Sequence, residues 1–295
     1  MTSGNESAVQ EVAKRFATGL SEHGYGFHYA VLAKAQHLEE AGRSQWVFEV
    51  SEFPVSIMDA DSRIDFILRH KNYPLLIVAE CKRANPAYGD WCFIRAPYVR
   101  RNRAYDFISV ERITFAANGA RLVKLGGAAI PGTVRCYNVG LPLPTGRRGD
   151  SGGQPRRMIE DAATQVSTGV NGLAKTLALG DGVLVKSLVP PWFHEEGCLD
   201  LTGVVFTTAR LWTTDTELSA TNLETGNINV DQLTVAEQPF VAFQYHVSPG
   251  LWHGIQSPES TVQSSLGAML DEQHMRTIWV VSVAGIEQFL ARNWY

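Results

Sequence analysis

Asp65, Glu80 and Lys82 are ionisable residues set in apolar surroundings. The stretch Arg63–Lys82 holds two largely apolar runs, 64–68 and 75–79, on either side of a polar break at His70–Pro74, the pattern of a β-hairpin. The second run has no polar alternation, as in a strand covered on both faces. A period of two then puts Glu80 and Lys82 on one face and Cys81 on the other. In a hairpin symmetric about the Asn72–Tyr73 bond, Asp65 lies opposite Glu80, with Cβ atoms roughly 4.5–5.5 Å apart. Two carboxylates that close repel unless a proton or cation sits between them. A hard divalent ion with oxygen ligands suits the gap, and the neighbouring lysine can polarise a reacting oxyanion. Glu-x-Lys alone also fits a plain hairpin end with an exposed salt bridge, worth roughly 0–1 kcal/mol. The combination of apolar strand, facing carboxylates and lysine favours metal-dependent chemistry.

This arrangement resembles the PD-(D/E)XK nuclease superfamily, through Arg63-Ile64-Asp65 on one strand and Glu80-Cys81-Lys82 on the next. The resemblance covers residues 26–82. It implies a mixed α/β fold with a restriction-endonuclease-like core, a central mixed sheet flanked by helices, and added strands in the second half. It further implies that Asp65 and Glu80 hold Mg²⁺ (or Mn²⁺) while Lys82 stabilises the attacked phosphate. The activity implied is metal-dependent hydrolysis of nucleic acid, DNA first, in restriction or phage defence. A homodimer or a companion defence subunit would be the protein partner. Many members carry a glutamate on the preceding helix, soon after a Gly-Phe pair. Gly26-Phe27 fits that pair, but His28, Tyr29 and Ala30 follow it, and none is acidic. Glu39 and Glu40 fall at the far end of that helix. Glu49, on the next strand, and Gln165, on a later helix, are the accessory candidates. The alternative from a different class is a catalytically silent nuclease-fold module that binds nucleic acid or a partner protein.

The elements that must position these residues follow in order. Helices are expected over 7–21 and 27–41, the second burying Phe27, Val31, Leu32, Ala35 and Leu38 and stopping at Gly42. On that helix, His28 and His37 read as half-buried packing residues. A strand over Ser44–Ile57 precedes the hairpin. Beyond it, Trp91–Phe107 interleaves aromatics with Arg95, Arg100, Arg101 and Arg103, suited either to bases and phosphates or to a core with surface arginines. Strands are expected at 107–115 and 121–125 around Asn118-Gly119, and at 134–141. A Gly- and Arg-rich loop, 142–155, and a helix over 156–177 follow. Further strands are expected at 183–189, 201–207, 240–247 and 277–283, with helices near 260–273 and 286–293.

Two motifs imitate other chemistries. Gly149-Asp150-Ser151-Gly152-Gly153 looks like a serine-protease nucleophile segment, but no matching histidine segment accompanies it. Gly169–Thr176 approaches a phosphate-cradling loop, yet a helical window precedes it where a strand is required.

The 295 residues, 45% hydrophobic and 19% charged, fit a globular chain. They divide into a nuclease core over 1–190 and an acidic region over 191–295 that extends it. No apolar run reaches the ~18 residues of a membrane span, and Cys81, Cys92, Cys136 and Cys198 match neither a zinc nor a disulfide pattern. A cytoplasmic location is the expectation, with no membrane partner. Net charge is −4, but its distribution is uneven. Residues 95–157 hold twelve Lys/Arg against three acids, whereas 192–295 hold three Arg against twelve acids. The basic stretch, with Arg147, Arg148, Arg156 and Arg157 joining the four arginines above, is the candidate nucleic-acid surface.

Overall fold

The structure, a computed structural model, describes residues 3–22, 24–57, 60–95, 108–115, 121–128, 135–145, 157–179, 197–216, 224–229, 231, 233–246 and 275–292. It is mixed α/β, with a central mixed sheet flanked by helices.

Helix α1 (Ser3–Glu22) leads into α2 (Tyr25–Glu40). Helix α2 ends as its sequence requires. Gly42 takes a left-handed φ of 68°, its N–H donates to the Glu39 carbonyl, and the Arg43 N–H reaches back to the Leu38 carbonyl. These paired bonds satisfy carbonyls that a helix end would otherwise leave orphaned. The inward stripe is His28, Val31, Leu32, Ala35 and Leu38.

Strands β1 (Trp46–Ile57), β2 (Ala60–His70) and β3 (Leu75–Lys82) form an antiparallel meander. Strand β1 is the sheet edge, which is where Pro54 can be tolerated. Strand β3 is interior and runs parallel to β9 (Gly197–Thr207), which in turn runs parallel to β13 (Met275–Ser282). Strands β12 (Phe240–His246) and β7 (Cys136–Tyr137) complete that side. The hairpin β5 (Ile108–Phe115) and β6 (Arg121–Ala128) joins the sheet through the first half of β9. Strands from the acidic third therefore lie beside β3 in the same sheet.

A second sheet runs β11 (Ala236–Gln238), β10 (Arg210–Thr214), β4 (Asp90–Ile94), β8 (Val139–Leu143). The single strand expected over 134–141 is two strands, β7 and β8, belonging to different sheets. Asn138 between them marks the crossing.

Both faces of β3 are buried. Leu75, Ile77 and Ala79 pack towards α2 and the short α4 (Ile286–Leu290), while Leu76 and Val78 pack towards α3 (Met158–Leu179). Burial of each such Leu or Ile contributes about 1.5–3 kcal/mol. Helix α3 lies close on the sheet because Gly172 has no side chain: a Cβ there would stand 2.6 Å from the Val55 Cβ. This packing explains the glycines of the 169–176 segment, which lies inside α3. No helix among the described residues is long and apolar enough to cross a membrane. The four cysteines are unbonded.

Candidate functional site

The β2–β3 ladder pairs Phe66 with Ala79 and Arg69 with Leu76, the register of a hairpin symmetric about Asn72–Tyr73. Its last pair is Phe66–Ala79. Beyond it, Asp65 is one position from Phe66 but meets a residue two positions from Ala79: the Cys81 backbone N–H donates to Asp65 Oδ2 at 2.6 Å. The packing records the same slip. Phe66 and Leu68 face the α2 side, whereas Ile64 joins the α3 side, so the alternation breaks at Asp65. Strand β1 is irregular opposite this point. It shifts register between Phe48 and Val50, and Glu52 has a φ of 52°. Ser51 pairs with Phe66 and Phe53 with Ile64, which brackets Glu52 beside Asp65. A left-handed non-glycine residue costs roughly 1–3 kcal/mol, and such strain gathers where function over-determines the backbone.

His28 enters this corner from α2. Its ligating nitrogen and one carboxylate oxygen each from Glu52 and Asp65 lie within 4.8 Å of one another. The imidazole is only 3% exposed and stacks with Tyr29 at 4.8 Å and Phe66 at 5.6 Å. Its Nδ1 stands 3.5 Å from Glu52 Oε1, while its Nε2 is buried with no hydrogen-bond partner. Leaving a buried polar nitrogen unpaired costs about 1–3 kcal/mol. One imidazole and two carboxylates make a divalent-ion ligand set, and the imidazole favours Mn²⁺ and its transition-metal neighbours over Mg²⁺. The residues present fit such an ion.

Glu80 and Lys82 form the other half. Lys82 Nζ lies 2.9 Å from Glu80 Oε1, and Glu80 is 9% exposed. Burial, then the Asp65 charge, pushes the Glu80 carboxyl up to about 7, although Lys82 pulls the other way. Burial also raises Asp65, against the opposing pull of the Cys81 N–H, His28 and Lys82. The Cys81 thiol is pushed well up by burial, which keeps it protonated and unreactive. Glu80 can therefore exchange a proton near neutrality, and Lys82 can offer positive charge to an anion.

The other sequence candidates are placed elsewhere or lie outside the described residues. Glu49 is held by Arg69 at 2.6 Å and is not in the His28 cluster. Gln165 is exposed on α3. Arg95 is half-buried after β4, and Arg157 is exposed at the start of α3. Arg100, Arg101, Arg103, Arg147, Arg148 and Arg156 lie outside the described residues, as does Gly149-Asp150-Ser151-Gly152-Gly153. Trp91 and Phe93 are core residues, fully buried against Ile159, Ala162 and their neighbours, and not a stacking surface.

Sequence reasoning missed His28 and Glu52 as site residues. The signal for His28 was available: it follows Gly26-Phe27 and begins the inward stripe of α2, where a polar residue is the informative exception. Glu52 had no comparable signal, since nothing in its neighbours announces a left-handed backbone. No family model, curated protein or solved structure matches this chain. The functional reading therefore rests on the chemistry of this corner.

Proposed function

We propose that the chain is a metal-dependent nuclease of the PD-(D/E)XK type, with a restriction-endonuclease-like core, hydrolysing phosphodiester bonds in DNA. The observation that carries this reading is the meeting of Asp65 with His28 and Glu52 beside the Glu80–Lys82 pair, at the carboxyl end of a buried strand. Asp65, His28 and Glu52 would hold the ion, Mn²⁺ more readily than Mg²⁺. When bound, it supplies positive charge to the phosphate and acidifies water.

The chain's own groups do the rest. Lys82 directs its ammonium at the phosphate oxygen where negative charge develops. Glu80, ionising near neutrality, accepts the proton of the attacking water, since a base poised near the working pH is the efficient one. The Cys81 N–H keeps Asp65 turned to the cluster, and the packed faces of β2 and β3 hold both strands still.

Incubation with supercoiled and single-stranded DNA, with Mn²⁺, Mg²⁺ or EDTA, tests the proposal. Cleavage with Mn²⁺ that EDTA stops is the expected result. Tight DNA binding with no cleavage under any metal would instead identify a catalytically silent nucleic-acid-binding module.

A further inference from the structure

A cavity of about 500 Å³ lies at the corner where β10 and β11 of the second sheet meet the β7–β12–β13 side of the central sheet. The nuclease reading does not use it. Its volume is in the range of small-molecule sites, roughly 300–1,000 Å³. On one wall the Arg292 guanidinium lies 5.7 Å from the Phe240 ring centroid and 5.8 Å from that of Trp279. No carboxylate among the described residues pairs with Arg292, and burial disfavours its charge. A second arginine of the lining, Arg135, is neutralised by Asp215. The surplus positive charge therefore belongs to Arg292. An arginine spread over aromatic faces, with no partner for its fork among the described residues, is suited to a phosphate. The rest of the lining includes polar groups: Gln238 Nε2 donates to Thr213 Oγ1 at 3.4 Å, and the Tyr137 hydroxyl hydrogen-bonds to Thr213 and Asp215. Hydroxyls and a carboxamide can both donate and accept, as recognition of a nucleobase edge requires.

The cavity shares a row of the sheet with the candidate catalytic groups. Glu80 pairs with Val205, Val205 with Val280, and Val280 with Val241, which lines the cavity. Three strand spacings separate them, about 14 Å. A strand whose phosphate lies at Lys82 thus has another of its units within reach of this corner.

We propose that this cavity binds a nucleotide unit, its phosphate on Arg292 and its base against the Tyr137–Thr213–Gln238 wall. The unit is either a free nucleotide or one turned out of the substrate strand, and only the second source rests on the nuclease reading. Titration calorimetry in EDTA separates the two questions, because it needs neither metal nor cleavage. The titrants are the four deoxynucleoside 5′-monophosphates, the matching nucleosides and inorganic phosphate. At least one monophosphate should bind about tenfold more tightly than either its nucleoside or phosphate. Arg292→Ala and Gln238→Leu should each weaken it fivefold or more. Gln238→Leu keeps the test open if Arg292→Ala, which uncovers Phe240 and Trp279, fails to fold. Nucleotides that bind no better than phosphate, or that bind both variants like wild type, would overturn the proposal. A single-stranded oligonucleotide identifies the source. If Arg292→Ala weakens oligonucleotide and mononucleotide alike, the unit belongs to the strand. If it weakens the mononucleotide alone, the ligand is free nucleotide. A protein that fails to cleave DNA but passes the titration would lose the nuclease reading and keep this site.

Discussion

The two ends of the β3–β9 ladder carry ion pairs of opposite character. At the amino end Asp200, beside Leu75, is gripped by Arg112, whose Nε and Nη2 each donate to a carboxylate oxygen at 2.7 Å. At the carboxyl end Glu80, beside Val205, is held by Lys82 at one oxygen. The first pair occupies both carboxylate oxygens with one rigid, bidentate fork. The second leaves acceptor capacity and a movable ammonium, with the His28 cluster close by. In open α/β sheets, ligands gather at the carboxyl ends of strands, and the saturation of the two pairs follows that rule. Burial alone does not separate them, since Asp200 is 5% and Glu80 9% exposed.

The largest effect expected from breaking this contrast is on stability at the amino end. Arg112→Met leaves Asp200 buried without its partner, a change that typically costs about 3–5 kcal/mol. Urea unfolding should show the midpoint fall with an unchanged slope, while metal binding at the other end persists. A midpoint within about 0.5 kcal/mol of wild type would mean that the pair is not the structural clamp described here.

Lys82→Met addresses the carboxyl end and should give the reverse pattern. It keeps the apolar stem and removes the ammonium, so the fold should hold while cleavage falls on the order of 10²–10³. Glu80 can answer the loss by keeping its proton, since burial already raises its carboxyl to about 7. Lys82→Met protein that cuts at the wild-type rate would place the chemistry elsewhere.

The contrast also explains how much could be read beforehand. The apolar runs of β2 and β3 dictate their strands and register, because slipping by one residue would send each side chain into the opposite core and mismatch the packing on both faces. That is why Phe66–Ala79 pairing and the inward stripe of α2 follow from pattern alone. The site itself departs from pattern. Asp65 leaves the alternation to accept the Cys81 N–H, and Glu52 adopts a backbone that nothing in its neighbours announces. Periodicity describes regular ladders and is silent where a ladder ends, so the pattern sets Asp65 opposite Glu80, whereas the fold groups it with His28 and Glu52. Asp200 falls just outside the strand expected over 201–207, and its partner lies 88 positions away.

A smaller effect should sharpen the metal preference. His28→Asn removes the imidazole and leaves two carboxylates, a harder ligand set. Mn²⁺ affinity should drop about 10–100-fold, the range seen when even outer-shell support of a metal site is lost, with Mg²⁺ much less affected. Parallel titrations of both ions on wild type and variant decide it. Equal losses for the two would mean that the imidazole supports the fold and not the ion.

The smallest effect is the pH dependence of the metal-free protein, and it bears directly on Glu80. Its carboxyl is raised from about 4.5 to about 7 on folding, first by burial and then by Asp65. A raised carboxyl means that the folded state binds the proton more tightly than the unfolded chain. The stability this contributes is therefore complete below about 4.5 and is lost as pH rises through 7. Each tenfold change in proton affinity is worth about 1.36 kcal/mol. With Lys82 able to compensate the ionised form, the loss should be on the order of 1–3 kcal/mol. Glu80→Gln removes the titration, so thermal melts in EDTA from pH 5 to 8.5 should fall for wild type more than for the variant, with the gap opening below 7 and levelling off above it. The amino end supplies the control, since Arg112→Met leaves Glu80 and its surroundings intact and should keep the wild-type slope through that window. Curves for wild type and Glu80→Gln that run parallel would mean that Glu80 is ionised throughout. The difference between the two ends would then reduce to the geometry of their ion pairs.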